Sequence, residues 1–202
     1  YSIIISNLET FLKNTQIKIE PIFRANNSLL VQLMSIEMVF NCQSIMTMHD
    51  KNKGIIEKIN ALKQGIFIRD QILSVFEKSI SEELFFSIRV YKDFFIRKES
   101  YYRYIGRYYV ELKEYLKAEE YLKSLLGTIE TKLNNEYSIL SFNYHSLTVL
   151  YLWWEKLENA KYFIEKNRKI CETLPPNHPN TILYKNDIYN LKKLEQRKNA
   201  EE

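Results

Sequence analysis

Between residues 101 and 172 apolar and small side chains return in steps of three, four and seven, the spacing that puts them on one face of a helix. Tyr102, Ile105, Gly106 and Tyr109 form the first set, and Ala118 and Leu122 follow on a second helical stretch. Tyr144, Leu147, Thr148, Tyr151, Ala160 and Ile164 repeat the set, each 42 residues after its counterpart. The spacing predicts helices near 99–114, 117–130, 134–155 and 158–173, arranged as two antiparallel pairs. Gly106 and Thr148 are the small residues that let the second helix of each pair approach the first. Ala118 and Ala160 leave room from the other side, and the aromatic rings fill the space around them.

The pattern before this stretch is less regular. Leu8, Phe11 and Leu12 have helical spacing, whereas residues 16–23 are ambiguous because Pro21 forbids a continuous helix. Asn26, Asn27 and Ser28 are cap residues for a helix over 29–48. Ile55, Ile56, Ile59 and Leu62 open another, with Gly65 as an expected break or bend, followed by amphipathic segments over 68–76 and 84–95. Ser81 supplies a cap there, with Glu82 and Glu83 in the first turn. After the repeats, three prolines within Leu174-Pro175-Pro176-Asn177-His178-Pro179 end any helix. A last helix then runs from Asn180 or Thr181 to about Lys198 and covers the final apolar face, as the end of a repeat array requires.

Composition agrees with an all-helical chain. Of 202 residues 46% are hydrophobic, yet Gly and Pro number only four each, too little turn chemistry for a many-stranded sheet. The net charge of +4 is spread among interspersed Lys, Arg and Glu rather than gathered in a stripe. This favours solvated helix faces over non-specific nucleic-acid binding. No uninterrupted apolar run reaches the ~18 residues of a membrane span. Cys42 and Cys171 lie in apolar helical surroundings, which suits buried free thiols in a reducing compartment, cytoplasm or nucleus. The chain begins at Tyr1 rather than Met, so a fragment or processed product is expected, and no secretory leader is visible.

The repeated set resembles the tetratricopeptide pattern of aromatic, apolar, small and aromatic residues followed by Ala and a bulky apolar residue. The 42-residue period exceeds the usual one of about 34 residues, which implies longer helices, and the first copy ends at Leu126-Gly127 without Pro. The resemblance implies an all-α fold: a right-handed superhelix of antiparallel helix pairs, a tetratricopeptide-like solenoid closed by a terminal capping helix. Residues 98–198 would form the repeats and cap, with residues 1–97 a helical region packed on them.

The stretch from Tyr101 to Lys193 is also similar to the C-terminal helical domain of SET- and MYND-domain protein lysine methyltransferases. The likeness lies in Tyr102 to Tyr109, in Ala118-Glu119-Glu120-Tyr121-Leu122 and in Leu147 to Tyr151. Leu157-Glu158-Asn159-Ala160 and the Pro176-Asn177-His178-Pro179 turn complete it. Kinesin-light-chain-type arrays share that turn and the 42-residue period. In the methyltransferases this domain walls one side of the substrate cleft and receives partner proteins, while catalysis lies elsewhere. The chain has no SET-type Asn-His-Ser/Cys-x-Pro-Asn motif and no zinc-binding cysteine series. The resemblance therefore implies a catalytic domain upstream of Tyr1, with no cofactor held by this segment. A stand-alone tetratricopeptide adaptor is the alternative.

Chemistry of the chain's own is sparse. Cys42 with His49, and Cys171 with His178, are each seven residues apart, but two isolated pairs fall short of the four convergent ligands zinc usually takes. Neither thiol has a recognisable orienting residue or oxyanion site, so structural cysteines are the simpler reading. No phosphate-binding glycine loop is present. Tyr101, Tyr102, Tyr104, Tyr108 and Tyr109 form a cluster that could stack on single-stranded nucleic acid, but Tyr102 and Tyr109 are already used for packing. A protein or peptide partner remains. In tetratricopeptide arrays the first helix of each pair lines the groove, and the resemblance places Arg103, Arg107 and Glu111 there from the first copy. His145, Val149 and Trp153 come from the second. Arg103 and Arg107, one turn apart, suit an acidic ligand, and one of Trp153 and Trp154 should face core and the other solvent or groove.

Overall fold

The computed structural model describes residues 41–77, 89–132 and 136–201, and all regular structure among them is helical. After a helical stretch over 41–49 come α1 (Ile55–Glu77), α2 (Arg89–Glu111), α3 (Tyr115–Lys123), α4 (Leu126–Lys132), α5 (Tyr137–Trp153), α6 (Leu157–Cys171) and α7 (Pro179–Glu201). The expected helix at residues 8–12, the start of the one over 29–48 and the Ser81 cap lie outside the described residues. The chain divides into two compact units, residues 1–101 and 102–202.

In the first unit α1 begins with half of a capping box. The Gly54 N–H donates to Glu57 Oε2 at 3.0 Å, and Lys53 pairs with the same carboxylate at 3.2 Å. That main-chain donor, more than any other group, holds the Glu57 carboxyl below its usual range. Ile59, Leu62, Ile66, Ile68, Phe95 and Tyr101 are buried. Gly65, expected as a break, sits inside continuous helix, with its α-carbon face against the Tyr101 ring and Ser44 Oγ. The glycine serves close approach there, not bending. Asn41 Oδ1 accepts hydrogen bonds from the Tyr101 hydroxyl at 2.9 Å and from Arg69 Nη2 at 3.2 Å, and the Arg69 guanidinium lies 4.2 Å from the Tyr101 ring centre.

The second unit is built around α5, which packs against α3, α4, α6 and α7. Its sequence explains this position: Leu140, Tyr144, Leu147, Thr148, Leu150 and Tyr151 cover more than one side and are all buried. A helix that is apolar nearly all round has to be covered nearly all round. The pattern expected one helix over 117–130, whereas α3 and α4 are separate. Ser124 Oγ donates to the Glu120 carbonyl at 2.6 Å at the break, a side-chain bond that competes with helix continuation, and Gly127 follows. The helix expected to start near 99 instead runs unbroken from Arg89, and α5 ends at Trp153, two residues short of expectation.

The 42-residue spacing in the sequence recurs in the geometry. After α2 the Glu114 N–H donates to the Tyr109 carbonyl at 2.9 Å and the Lys113 N–H to the Val110 carbonyl at 2.9 Å. After α5 the Lys156 N–H donates to the Tyr151 carbonyl at 2.9 Å and the Glu155 N–H to the Leu152 carbonyl at 3.2 Å. Both are Schellman turns, and each places a non-glycine residue in the left-handed region, Lys113 at φ 60° and Glu155 at φ 57°. The rings repeat as well. Tyr121 lies 5.7 Å from Tyr102 and 5.5 Å from Tyr109, while Phe163 lies 6.1 Å from Tyr144 and 5.7 Å from Tyr151. Ile105, Leu147, Ala118 and Ala160 are fully buried.

The last helix begins as the Asn-His-Pro sequence dictates. The His178 ring caps it, its Nδ1 accepting the Asn180 N–H at 3.2 Å, and Pro179 occupies the first turn where its missing N–H goes unneeded. α7 packs on α5 and α6, and Leu191 and Asp187 face inward. Its outer face differs from that of α5 forty-two residues earlier. Asn186, Asn190 and Lys193 are exposed where Tyr144, Thr148 and Tyr151 are buried, and Tyr189 is 67% exposed where Leu147 is 0%.

Candidate docking surface

The five candidate partner-binding residues fall on α2 and α5. Arg103 is half-buried, its guanidinium 5.3 Å from the ring centres of both Tyr104 and Phe142. Stacking against two rings positions the planar cation. Arg107 and Glu111, one and two turns on, are exposed. Val149 is half-buried and Trp153 is 65% exposed. Trp154 turns inward, its ring 5.7 Å from Tyr115 and 6.3 Å from Tyr151, with the Lys156 ammonium 3.3 Å from the indole centre. The two tryptophans thus separate as one inward and one outward residue. Of the two rings that hold Arg103, Tyr104 stands out in the sequence only as part of the tyrosine cluster and Phe142 not at all, because an aromatic residue on a buried helix carries no mark of its neighbour.

His145 is engaged within the protein. Its Nδ1 lies 3.0 and 2.9 Å from the two carboxylate oxygens of Asp187, which is itself buried. The partner is 42 residues away, so the pair joins equivalent positions of α5 and α7. Two further polar links span the same 42 residues: Asn180 Nδ2 donates to the Ser138 carbonyl of α5 at 3.2 Å, and Arg197 of α7 pairs with Glu155 in the turn after α5. Burial, opposed by the His145 contact, pushes the Asp187 carboxyl above the ordinary value of 3.8. A carboxyl whose pKa is raised by folding contributes stability that is present below the unfolded pKa and lost as pH rises through the folded one. Asp187→Asn removes that titration. Its melting temperature relative to the wild type is therefore expected to climb as pH is raised from the ordinary carboxylate range toward neutrality, as scanning calorimetry at a series of pH values would show. A constant difference across that range would contradict the assignment.

Tyrosine–glutamate bonds tie α5 to the helices before it. The Tyr151 hydroxyl donates to Glu119 Oε1 at 2.6 Å, and the Tyr144 hydroxyl to Glu130 Oε1 at 2.7 Å. Lys123 and Lys166 neutralise these carboxylates at 2.6 and 3.0 Å. Burial and the neighbouring glutamates push both phenols up, so they stay protonated donors.

Cys171 is buried, and burial raises its thiol pKa, the reverse of an activated nucleophile. Cys42, expected to be buried, is exposed on the helical stretch over 41–49, and both thiols are free; Ile45 and Met46, one turn on along the same face, are exposed as well, so apolar neighbours in sequence did not make a covered face there. His49 is exposed, and no group of three metal-ligating side chains occurs among the described residues. No helix among them is long and apolar enough to cross a membrane. Comparison of the chain with protein-family models, with curated proteins and with solved structures gives no match.

Proposed function

We propose that residues 102–201 form a non-catalytic, tetratricopeptide-like scaffold that binds protein, with two antiparallel helix pairs and a terminal capping helix set in a right-handed superhelix. The observation that carries this reading is the recurrence, at a constant 42-residue offset, of the Schellman turns and the aromatic pairs. Local design repeated at that level is what a stack of equivalent units requires. The outer face of α7 supports the cap, since exposed Asn186, Asn190 and Lys193 stand where α5 buries Tyr144, Thr148 and Tyr151. The docking face comprises Arg103, Arg107, Val149 and Trp153, with His145 of the expected set committed to Asp187 instead. Its occupant is an extended peptide with an acidic side chain for the arginines and an apolar one for Trp153, a choice supported by the exposed Arg107 cation and the exposed indole.

The likeness to the SET- and MYND-domain methyltransferases supports a narrower form, in which this scaffold walls the substrate cleft of a lysine methyltransferase. No distance in the second unit favours that form over a stand-alone adaptor, so the proposal is made for the repeat surface itself. Peptide display against the wild type is expected to enrich acidic sequences with an apolar residue. The Arg103→Glu/Arg107→Glu variant should lose that enrichment while keeping its helical circular dichroism. Equal enrichment by both proteins would remove the arginines from the site.

A further inference from the structure

We infer that the seam between α5, α6 and the first turn of α7 encloses an internal water site, which acts as a bridging element of the last helix's attachment. Three polar side chains there are more than nine-tenths buried: Asn167 at 1% exposure, Asn180 at 1% and Thr181 at 7%. Each has an atom without a protein partner, namely Asn167 Nδ2, Asn180 Oδ1 and Thr181 Oγ1. The Asn180 amide is fixed by the bond it makes to a carbonyl, and the Asn167 amide stands with its oxygen toward Ser141 and Cys171. Asn167 Oδ1 accepts from Ser141 Oγ at 2.7 Å and from Cys171 Sγ at 3.6 Å, so the nitrogen occupies the remaining position. Asn180 Nδ2 donates to the Ser138 carbonyl at 3.2 Å; turning that amide over would set oxygen against oxygen. Cys171 Sγ touches both residues, lying 3.7 Å from the Asn180 carbonyl, which brings α6 and α7 together at this point.

An unmet donor on α6 therefore accompanies an unmet acceptor and a hydroxyl on α7. A ligand for all three must accept from one amide and donate to the other. An anion would confront Asn180 Oδ1 and a cation would confront Asn167 Nδ2, so the chemistry asks for a small neutral molecule with both capacities. Water has both capacities, and internal waters characteristically take two to four polar partners. The site goes beyond the docking surface proposed above and does not depend on it.

Thr181→Val separates the possibilities, because it removes the hydroxyl and keeps the shape. If water occupies the seam, the full-length variant loses a hydrogen-bonding partner and its melting temperature falls by about 2–4 °C. If the hydroxyl has no partner, the valine relieves a buried polar group and the melting temperature rises, which would overturn the inference. A crystal structure of the wild type supplies the second readout. Ordered density about 3 Å from both Asn167 Nδ2 and Asn180 Oδ1 is expected, and a direct bond between those two amides with no such density would overturn the inference independently of the melting data.

Discussion

Tyr151→Ala is expected to destabilise the protein by about 3–5 kcal/mol, the range for deleting a large buried ring. Tyr151 is fully buried near the C-terminal end of α5. Its ring is nearly parallel to those of Phe163 and Trp154, at 9° and 5°, so the deletion opens a cavity between α5, α6 and the turn that joins them. The hydroxyl adds a second loss, since Glu119 Oε1 gives up its 2.6 Å bond and keeps only Lys123. Tyr151→Phe isolates this part and should lose about 1.5–3 kcal/mol, the scale of a hydrogen bond to a charged group. Urea unfolding checks both variants, with the midpoint falling and the slope unchanged. An alanine variant as stable as the phenylalanine one would mean that the ring is not enclosed.

Gly106→Ala is expected to lose about 1–2 kcal/mol, from two opposed effects. Alanine in a helix interior is favoured over glycine by up to about 1 kcal/mol. Overpacking opposes it by about 1–3 kcal/mol. The added methyl would stand 2.5 Å from Leu122 Cγ and 3.3 Å from the Ala118 carbonyl oxygen. Neither yields easily, for Leu122 is buried in α3 and the carbonyl is main chain. Overpacking therefore wins. Gly127→Ala provides the contrast: nothing stands within 4 Å of its added methyl, and a gain of stability is expected. The same denaturation experiment would reveal the opposite signs, and a stabilised Gly106→Ala would separate α2 from α3.

How much of this is legible in the sequence follows from what each feature needs. The helices of the second unit were visible because their apolar positions keep a steady period, and Gly106 stood out because a small residue in an aromatic face has few other uses. Its contact with Leu122 is the close approach that the spacing anticipated. The turns were not visible. Schellman turns advertise themselves by glycine, and here the left-handed positions are Lys113 and Glu155. Gly65 misled for the converse reason: it occupies helix interior to admit Tyr101, a partner that local sequence cannot name. Of the candidate surface, adjacency on a helix told that one of Trp153 and Trp154 turns inward and the other outward; that Trp154 is the inward one is a matter of packing. The His145–Asp187 pair did not, because a histidine on a half-apolar face carries no sign of a carboxylate 42 residues on. The 42-residue offset was in view throughout, yet its use as a lateral link between equivalent helices is a property of packing.

The most direct measurement of the repeated design is a nuclear Overhauser spectrum of the full-length chain with assigned aromatic rings. Four ring contacts are expected, two in each copy: Tyr102 and Tyr109 with Tyr121, and Tyr144 and Tyr151 with Phe163. Contacts in one copy only, or Tyr121 and Phe163 facing different partners, would contradict the equivalence of the two helix pairs on which the scaffold reading stands.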